Sequence, residues 1–535
     1  MLIPIGIDLG TTCSVVATVD ENGRPRVLRN RLGEEITPSV VCFESPTSVL
    51  VGTAARNAAA VVPDLTVTLV KRQMGTDRRF AYHGHEYSPE AISALILRGL
   101  LAGVLPEDRP GWTAAVITVP AYFGIREREA TQQAGLLADI EVLELVSEPV
   151  AAALHYGLSA ASTHGTVLVY DLGGGTFDVT ALTFDGGVRV VATDGDAELG
   201  GADWDSRLAA HLLDRFVQTV DPCEDPADDA TFMAELRGAA ERAKHALSTK
   251  MSHTVRLGHA GRSAALVVER GEFESITRDL VDSTLHCLRR LMATAALTPE
   301  RVSGCVLVGG SSRMPMISAA LAGEFGWTPR LHDPDLAVAK GAALRARQLV
   351  DARQTWTTPS WGTEAVGEPS RQSAPVPQQR EGVPFAATSV VPRSFGLLIH
   401  DSDDPAGQRR FVDHVIHQND PLPVIDRETV VATILKGQTT VRIEVYEQAG
   451  AVPSVEVHDN RRALDGELSG LPEHLPAGAP IRVRLSLDLA GRLSVTAIEP
   501  SSGVRMELAA YIDGVLDTAE REHMARTLSA LAIRH

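Results

Sequence analysis

The sequence predicts a two-lobed α/β unit, followed by a polar linker, an all-β sandwich and a short C-terminal helix. Three observations carry this. A strand–Asp–Gly/Thr turn–strand unit occurs twice, more than 150 residues apart. Strands and helices alternate across residues 1–180, which implies crossover connections and α/β architecture. After residue 384 the apolar period changes to two, the period of half-buried strands. The expected divisions are 1–350, 351–386, 387–512 and 513–535.

The first copy of the repeated unit is Ile5 to Val19, with Asp8 ending one strand and Gly10, Thr11 and Thr12 making the turn. The second is VLVYDLGGGTFDVTAL, Val167 to Leu182, with Asp171 at the turn and Gly173, Gly174, Gly175 and Thr176 behind it. Either alone also reads as a tight hairpin with an incidental aspartate. Glycine amides can approach an anion closely, and a carboxylate at the strand end suits Mg²⁺. Two matched copies suggest an internal duplication, its halves facing each other across a nucleotide.

Between them, Lys71 lies in a loop, and Pro89 to Leu105 reads as a helix. Ala114 to Val119 reads as a buried strand stopping at Pro120, Arg126 to Leu137 as a helix, and Val142 to Val146 as a short strand. Glu148-Pro149 then opens the small-residue helix Val150 to Leu154, where a carboxylate also serves as a dipole partner. Leu199-Gly200-Gly201 opens another helix. Glu241, Lys244, His245 and Ser248 share one helix face by their spacing. A polar face of that kind is ordinarily solvated; these groups also suit a ribose and a base. Gly304 to Met314 gives a buried strand, the Gly309-Gly310 turn and Arg313 at a helix start. Asp333-Pro334-Asp335 is expected to cap the helix Ala337 to Leu344.

Residues 351–386 are rich in Pro, Ser, Gln and Glu without apolar periodicity, the composition of a linker. Val441 to Val445, Ile481 to Leu487 and Leu493 to Ile498 then alternate cleanly, as sandwich strands do. Asp517 to Ile533 reads as one amphipathic helix.

A net charge of −18 and only 4% aromatic residues exclude a nucleic-acid binder working through a basic, stacking surface. Five cysteines without CxxC spacing indicate neither a disulfide frame nor a zinc site. The N-terminus has no basic region ahead of its short apolar run, and Ala91 to Leu105 contains Arg98 and is too short for a membrane span. The expectation is a soluble, cytoplasmic protein with neither a nucleic-acid nor a membrane partner.

In this order and spacing, GIDLGTTCS (6–14), VKRQMG (70–75), ITVPAYF (117–123), SEPVAAALHYGL (147–158), YDLGGGTFDV (170–179), LGGADWD (199–205), ERAKHALS (241–248), VLVGGSSRMPM (306–316) and DPDLAVAKGAA (333–343) closely resemble the heat-shock-70 (DnaK-type) chaperones. The β-region resembles their peptide-binding sandwich more loosely. The resemblance implies an actin-like (ribonuclease-H-like) ATPase domain that uses ATP/ADP and Mg²⁺ to control the binding of extended, unfolded peptide segments. It implies that Asp8 and Asp171 hold Mg²⁺, largely through its waters, and that Gly10, Thr11, Thr12, Cys13, Gly173, Gly174, Gly175 and Thr176 surround the phosphates. Lys71 would offset charge developing on the γ-phosphoryl group, and Glu148 would order water near the metal. Gly200, Gly201, Glu241, Lys244, His245, Ser248, Gly309, Gly310, Arg313 and Asp333 would complete the nucleotide site. Pro120 and Arg128 match relay positions between domains, and Val431, Val441 and Ile443 fall where the peptide pocket would lie.

Three departures stand out. Cys13 replaces a common Asn, which raises an oxidation-sensitive thiol beside the phosphates against the blander reading of an inert buried one. The family's short, leucine-rich linker is replaced by some thirty polar residues, which weighs against interdomain coupling and against a J-domain co-chaperone or nucleotide-exchange factor acting in the usual way. Only 24 residues follow Tyr511, so the C-terminal helix reads as a truncated lid and peptide release is expected to be fast. Two other classes compete: an ATP-dependent scaffold or regulator with one dedicated partner, and a small-molecule kinase, for which no acceptor site is visible.

Overall fold

A computed structural model describes residues 4–104, 113–159, 165–184, 187–222, 224–356, 387–401, 409–450, 452–488, 491–509, 516 and 518–534. Of the expected linker, 351–386, residues 357–386 lie outside the described residues.

The duplication is visible in two sheets of the same plan. In the first lobe, Ile5–Asp8 lies between its hairpin partner Cys13–Val19 and the parallel strand Thr113–Val119, with Ile140–Ser147 beyond. In the second, Gly165–Leu172 lies between its hairpin partner Phe177–Phe184 and the parallel strand Val302–Val308. Strand–helix–strand crossovers keep these central strands buried on both faces, so Ile5, Ile7, Leu168 and Val169 are all enclosed. Helices Glu148–Ser159 and Ala337–Trp356 pack between the lobes. The approach is so close that neither Gly341, against Ala151, nor Gly6, against Ala339 to Ala343, has room for a Cβ. The second of these helices runs on to Trp356, past the expected boundary at 350.

The expected elements between these strands form with small shifts at their ends: helix Pro89–Val104, helix Ile125–Leu137 and strand Ile140–Ser147. Arg313 closes a short 3₁₀ turn, Gly310–Arg313, and the helix proper begins at Pro315. Ala387–Thr388 adds a parallel edge strand to Val188–Asp196 of the second lobe.

The β-region is a sandwich of two four-stranded antiparallel sheets. One orders its strands as Arg410–Ile416, Phe395–His400, Thr440–Gln448, Asn460–Ser469; the other as Val424–Ala432, Pro480–Leu487, Leu493–Ile498, Arg505–Ala509. Alternation sorts the faces: Val441, Ile443 and Val445 point inward, while Arg442 is exposed and pairs with Asp465.

The sandwich docks on the first lobe. Ile125 joins the sandwich core, and its N–H donates to Glu447 Oε1 at 2.9 Å. Arg461 Nη2 donates to Glu127 Oε1 at 3.0 Å, and Arg393 Nε to the Tyr122 carbonyl at 3.1 Å. On the other lobe, Thr193 N–H donates to Asn419 Oδ1 at 2.9 Å.

The C-terminal segment departs from expectation. The helix covers only Thr518–Ser529, and Ala532–Arg534 is a strand. The helix does not lie on the sandwich as a truncated lid would. It packs on helices Pro89–Val104 and Ile125–Leu137, and its Met524 and Leu528, one turn apart, enter the first lobe's core together with Leu516. The apolar stripe is there, but its complement is on the lobe.

Candidate functional site

The two hairpin turns face each other across a cleft of about 720 Å³. Their packing is tight: a Cβ at Gly174 would collide with Thr12, and one at Gly175 with Thr11. The first turn is held from behind by Ser39, whose hydroxyl donates to the Gly10 carbonyl at 2.8 Å while its N–H donates to Thr12 O at 2.8 Å. The second is held by the start of helix Gly201–Val220, where Gly201 and Ala202 N–H donate to the Gly173 and Gly174 carbonyls at 3.0 and 2.7 Å. Gly200 and Gly201 therefore buttress the loop. Neither lines the cleft, and neither does Gly175.

Asp8, Asp171, Glu148 and Lys71 converge at the cleft floor. Lys71 Nζ bonds Glu148 Oε1 at 2.5 Å, with both side chains buried. Burial pushes Asp8 up to about 7, the nearby Glu148 charge adds to this, and Lys71 and the Thr118 hydroxyl at 3.1 Å pull the other way. Asp171 is raised well above its usual range by burial and then by Glu148 and Asp8. Asp178, buried on the second hairpin, is raised by burial, Glu148 and Asp171. A floor of carboxylates with one ammonium is short of positive charge, and an oxygen-only donor set suits a hard divalent cation. Among the described residues no three His, Cys, Asp or Glu side chains form a ready metal cage.

At the opposite end, Glu241, Lys244, His245, Ser248, Gly309, Gly310 and Arg313 all line the cleft. Lys244 is buried, donating to Asp205 Oδ2 at 2.6 Å and the Gly201 carbonyl at 2.9 Å. Asp333 is a correction. Its side chain turns away from the cleft to Lys340 of the next helix, with His155 Nε2 at 3.6 Å, while its backbone carbonyl accepts from Leu336 and Ala337 N–H at that helix's start. Asp335, two residues on, lines the cleft and pairs with Arg313. Cys13 lines the cleft too; burial and then Glu241 push its thiol up to about 11, so it stays protonated at neutral pH. That is the inert reading.

Several residues were not legible in advance. Arg72 crosses between lobes, from the Gly175 carbonyl at 2.8 Å to Asp203 at 2.6 Å, and Asp203 accepts from Gly200 N–H at 2.7 Å. Asp178 accepts from Ala121 N–H at 3.0 Å, linking the cleft floor to the Pro120 turn. Lys71 and Thr176 also line a second cleft, about 820 Å³, whose far wall includes Arg393, Gln448 and Arg461 of the sandwich. Arg128 is half-buried next to this junction, its Nε donating to the Phe123 carbonyl at 3.0 Å, and desolvation lowers its pKa to about 10. Charged side chains facing distant segments leave no local periodic signal. Val441 and Ile443 are interior to the sandwich and Val431 is half-buried at its margin. The exposed apolar groups nearby are Val430, Ile434 and Leu435.

The chain is similar in sequence to known proteins. The family model described as Hsp70 protein matches residues 4–81 and 77–356. The chain is 36% identical over 509 residues to "Chaperone protein DnaK" of Thermotoga neapolitana, covering 93% of this chain and 78% of that protein. It is 35% identical to the protein of the same name from Thermotoga maritima over 509 residues, and 35% identical to that of Thermosipho africanus over 510, with the same coverage.

Proposed function

The chain belongs to the Hsp70 family, and on that premise we propose how its own residues carry out the family's activity. It is an ATP-dependent chaperone of Hsp70 type and an ATPase. A dedicated-partner scaffold is the less favoured reading, because the similarity extends through the sandwich.

In the proposed assignment, residues 1–356 form the ATPase domain, extended from the expected 1–350 by the helix that runs to Trp356, 357–386 the linker, 387–512 the peptide-binding sandwich and 513–535 the tail. Thr11 and Thr12 hydroxyls and the amides of Gly173 to Gly175 hold the terminal phosphates of ATP. Asp8 and Asp171 would hold Mg²⁺ through its water shell, and the ion supplies positive charge against those phosphates. Lys71 presents its ammonium to the charge developing as the γ-phosphoryl group leaves. Glu148 orients Lys71 and orders the attacking water, whose approach Thr176 helps direct. Glu241, Lys244 and Ser248 take the ribose, and His245 and Arg313 wall the base, with Asp335 fixing Arg313.

The nucleotide state passes from Asp178 through Ala121 to the Tyr122–Arg393 contact and so to the sandwich; Pro120 and Arg128 brace that turn. Extended, unfolded segments bind the sandwich at the rim around Val431, Ile434 and Leu435. Co-chaperones accompany this activity in the family; a J-domain partner is expected to stimulate weakly, given the polar linker, and an exchange factor is equally unspecified. The assignment to the cytoplasm rests on the resemblance and on the free thiols of Cys42, Cys287 and Cys305. Among the described residues no helix is long and apolar enough to cross a membrane.

The buried Lys71–Glu148 pair between the two matched loops carries this assignment. Single-turnover hydrolysis tests it: Lys71→Ala should slow the chemical step about 10²–10³-fold while ATP still binds. Hydrolysis at the parent rate would overturn the role given to Lys71.

A further inference from the structure

The last described strand of the sandwich ends at Ala509, and Leu516 is buried in the core of the first lobe. We infer that Leu516 and residues 518–534 form a clasp that holds the polypeptide on the first lobe, so that the sandwich can move away from the ATPase lobes only as far as a short connection allows until the clasp opens.

The clasp has two parts. Met524 and Leu528 seat the helix Thr518–Ser529 in the first lobe's core, and Gln133 Nε2 on that lobe donates to the Leu516 carbonyl at 3.0 Å. Beyond the helix, Ala532–Arg534 adds in parallel to Ser48–Val51, with Ile533 opposite Val49. Ala532 N–H donates to the Thr47 carbonyl at 2.8 Å, and Arg534 pairs with Glu44 at 2.8 Å. The added strand covers an edge of the sheet that would otherwise present unpaired backbone groups.

Chain length makes the clasp restrictive. Seven residue steps separate Ala509 from Leu516, so the connection spans at most about 25 Å. On the other side, 31 steps separate Trp356 from Ala387, on the order of 100 Å of reach. Once Ala387–Thr388 leaves the edge of the second lobe's sheet, the long linker would release the sandwich; the tail would not. Helix Ile125–Leu137 is gripped at both ends, by Glu447 and Arg461 of the sandwich at Ile125 and Glu127, and by the tail at Gln133. The clasp also reaches toward the nucleotide. Ser48–Val51 pairs with Val41–Ser45, which follows Ser39, the residue that holds the Gly10 carbonyl of the first phosphate loop.

The test is single-molecule energy transfer in the full chain, with dyes on non-natural residues replacing exposed Glu21 in the first lobe and Ser494 in the sandwich. Between ATP and ADP the intact chain should show an excursion no larger than about 25 Å. Ala532→Pro removes the N–H that bonds Thr47 and touches no core group; Met524→Ala with Leu528→Ala loosens the helix. Both should extend the ADP distribution beyond that limit. Hydrogen exchange at Ser48–Val51 should rise about tenfold in Ala532→Pro while Phe177–Phe184 stays protected, which separates an opened clasp from a misfolded domain. An ADP distribution in the intact chain as broad as in the variants would overturn the inference. So would variants with faster exchange at Ser48–Val51 and an unchanged distribution.

Discussion

Gly200→Ala should slow ATP hydrolysis although Gly200 touches no part of the cleft. The glycine has φ −167° and ψ −179°, extended backbone that alanine adopts freely, so the effect is purely steric. A Cβ there would stand 2.5 Å from Gly175 C and 2.5 Å from Thr176 N, both backbone atoms of the second hairpin turn. Restoring a tolerable separation near 3.2 Å requires a shift of about 0.7 Å, from 3.2 minus 2.5. The loop is fixed on three sides, by Arg72 at the Gly175 carbonyl, by the Gly201 and Ala202 amides, and by Thr11 and Thr12 in front. It therefore moves as a piece, carrying Thr176 with it. Misplacement by about 1 Å costs on the order of 10² in rate, so about 30-fold, or about 2 kcal/mol of barrier, is expected. Single-turnover hydrolysis with saturating ATP reads it, and Gly323→Ala is the control. That glycine lies in helix Pro315–Phe325 with nothing within 4 Å of a Cβ, so alanine should be neutral or stabilising by about 0.5–1 kcal/mol. Parent-rate hydrolysis by Gly200→Ala would refute the argument that this glycine is there for close packing behind the loop.

Asp333→Asn should lower stability by about 1 kcal/mol at pH 7, discounted because the carboxyl is partly exposed. The His155 imidazole 3.6 Å away and then Lys340 hold Asp333 down at about 2, so its contribution is present above the unfolded value of 3.8 and is lost as pH falls toward 2. Urea melts of both proteins should converge over that window; a gap persisting at pH 2 would exclude the charge as its source. Cys13 in the native protein should resist iodoacetamide at pH 7.5 for hours, because its thiol is held up at about 11, and prompt alkylation that changes ATP turnover would revive an oxidation-sensitive role. A labelled extended peptide should leave the ADP form within seconds, since the tail helix lies on the lobe and not over the sandwich; release over minutes would contradict this.

The parts of the site that were legible in the sequence are those written in short stretches. Asp8 with Thr11 and Thr12, and Asp171 with Gly173 to Thr176, announce a turn because glycine and strand-end carboxylates act on their immediate neighbours. The face shared by Glu241, Lys244 and Ser248 follows from the helical repeat alone, and all three line the cleft. Asp333 shows where such reading stops. Three residues, Asp-Pro-Asp, were read as a cap, yet one aspartate serves Lys340 and the other Arg313, a choice made by which basic group the folded chain brings near each.

The sequence by itself determined the two-lobed α/β unit, the sandwich and the two glycine-threonine turns, because periodicity and turn chemistry are local. Tertiary structure decided what those elements face. Val441 and Ile443 alternate as a sandwich strand must, but only the second sheet shows that their side is the interior. Arg72 meets Gly175 and Asp203 across more than 100 positions of chain. The stripe of Met524 and Leu528 predicts an amphipathic helix and is silent on its partner. Burial rewards any complementary apolar surface the chain can reach, and here the reachable one is the first lobe.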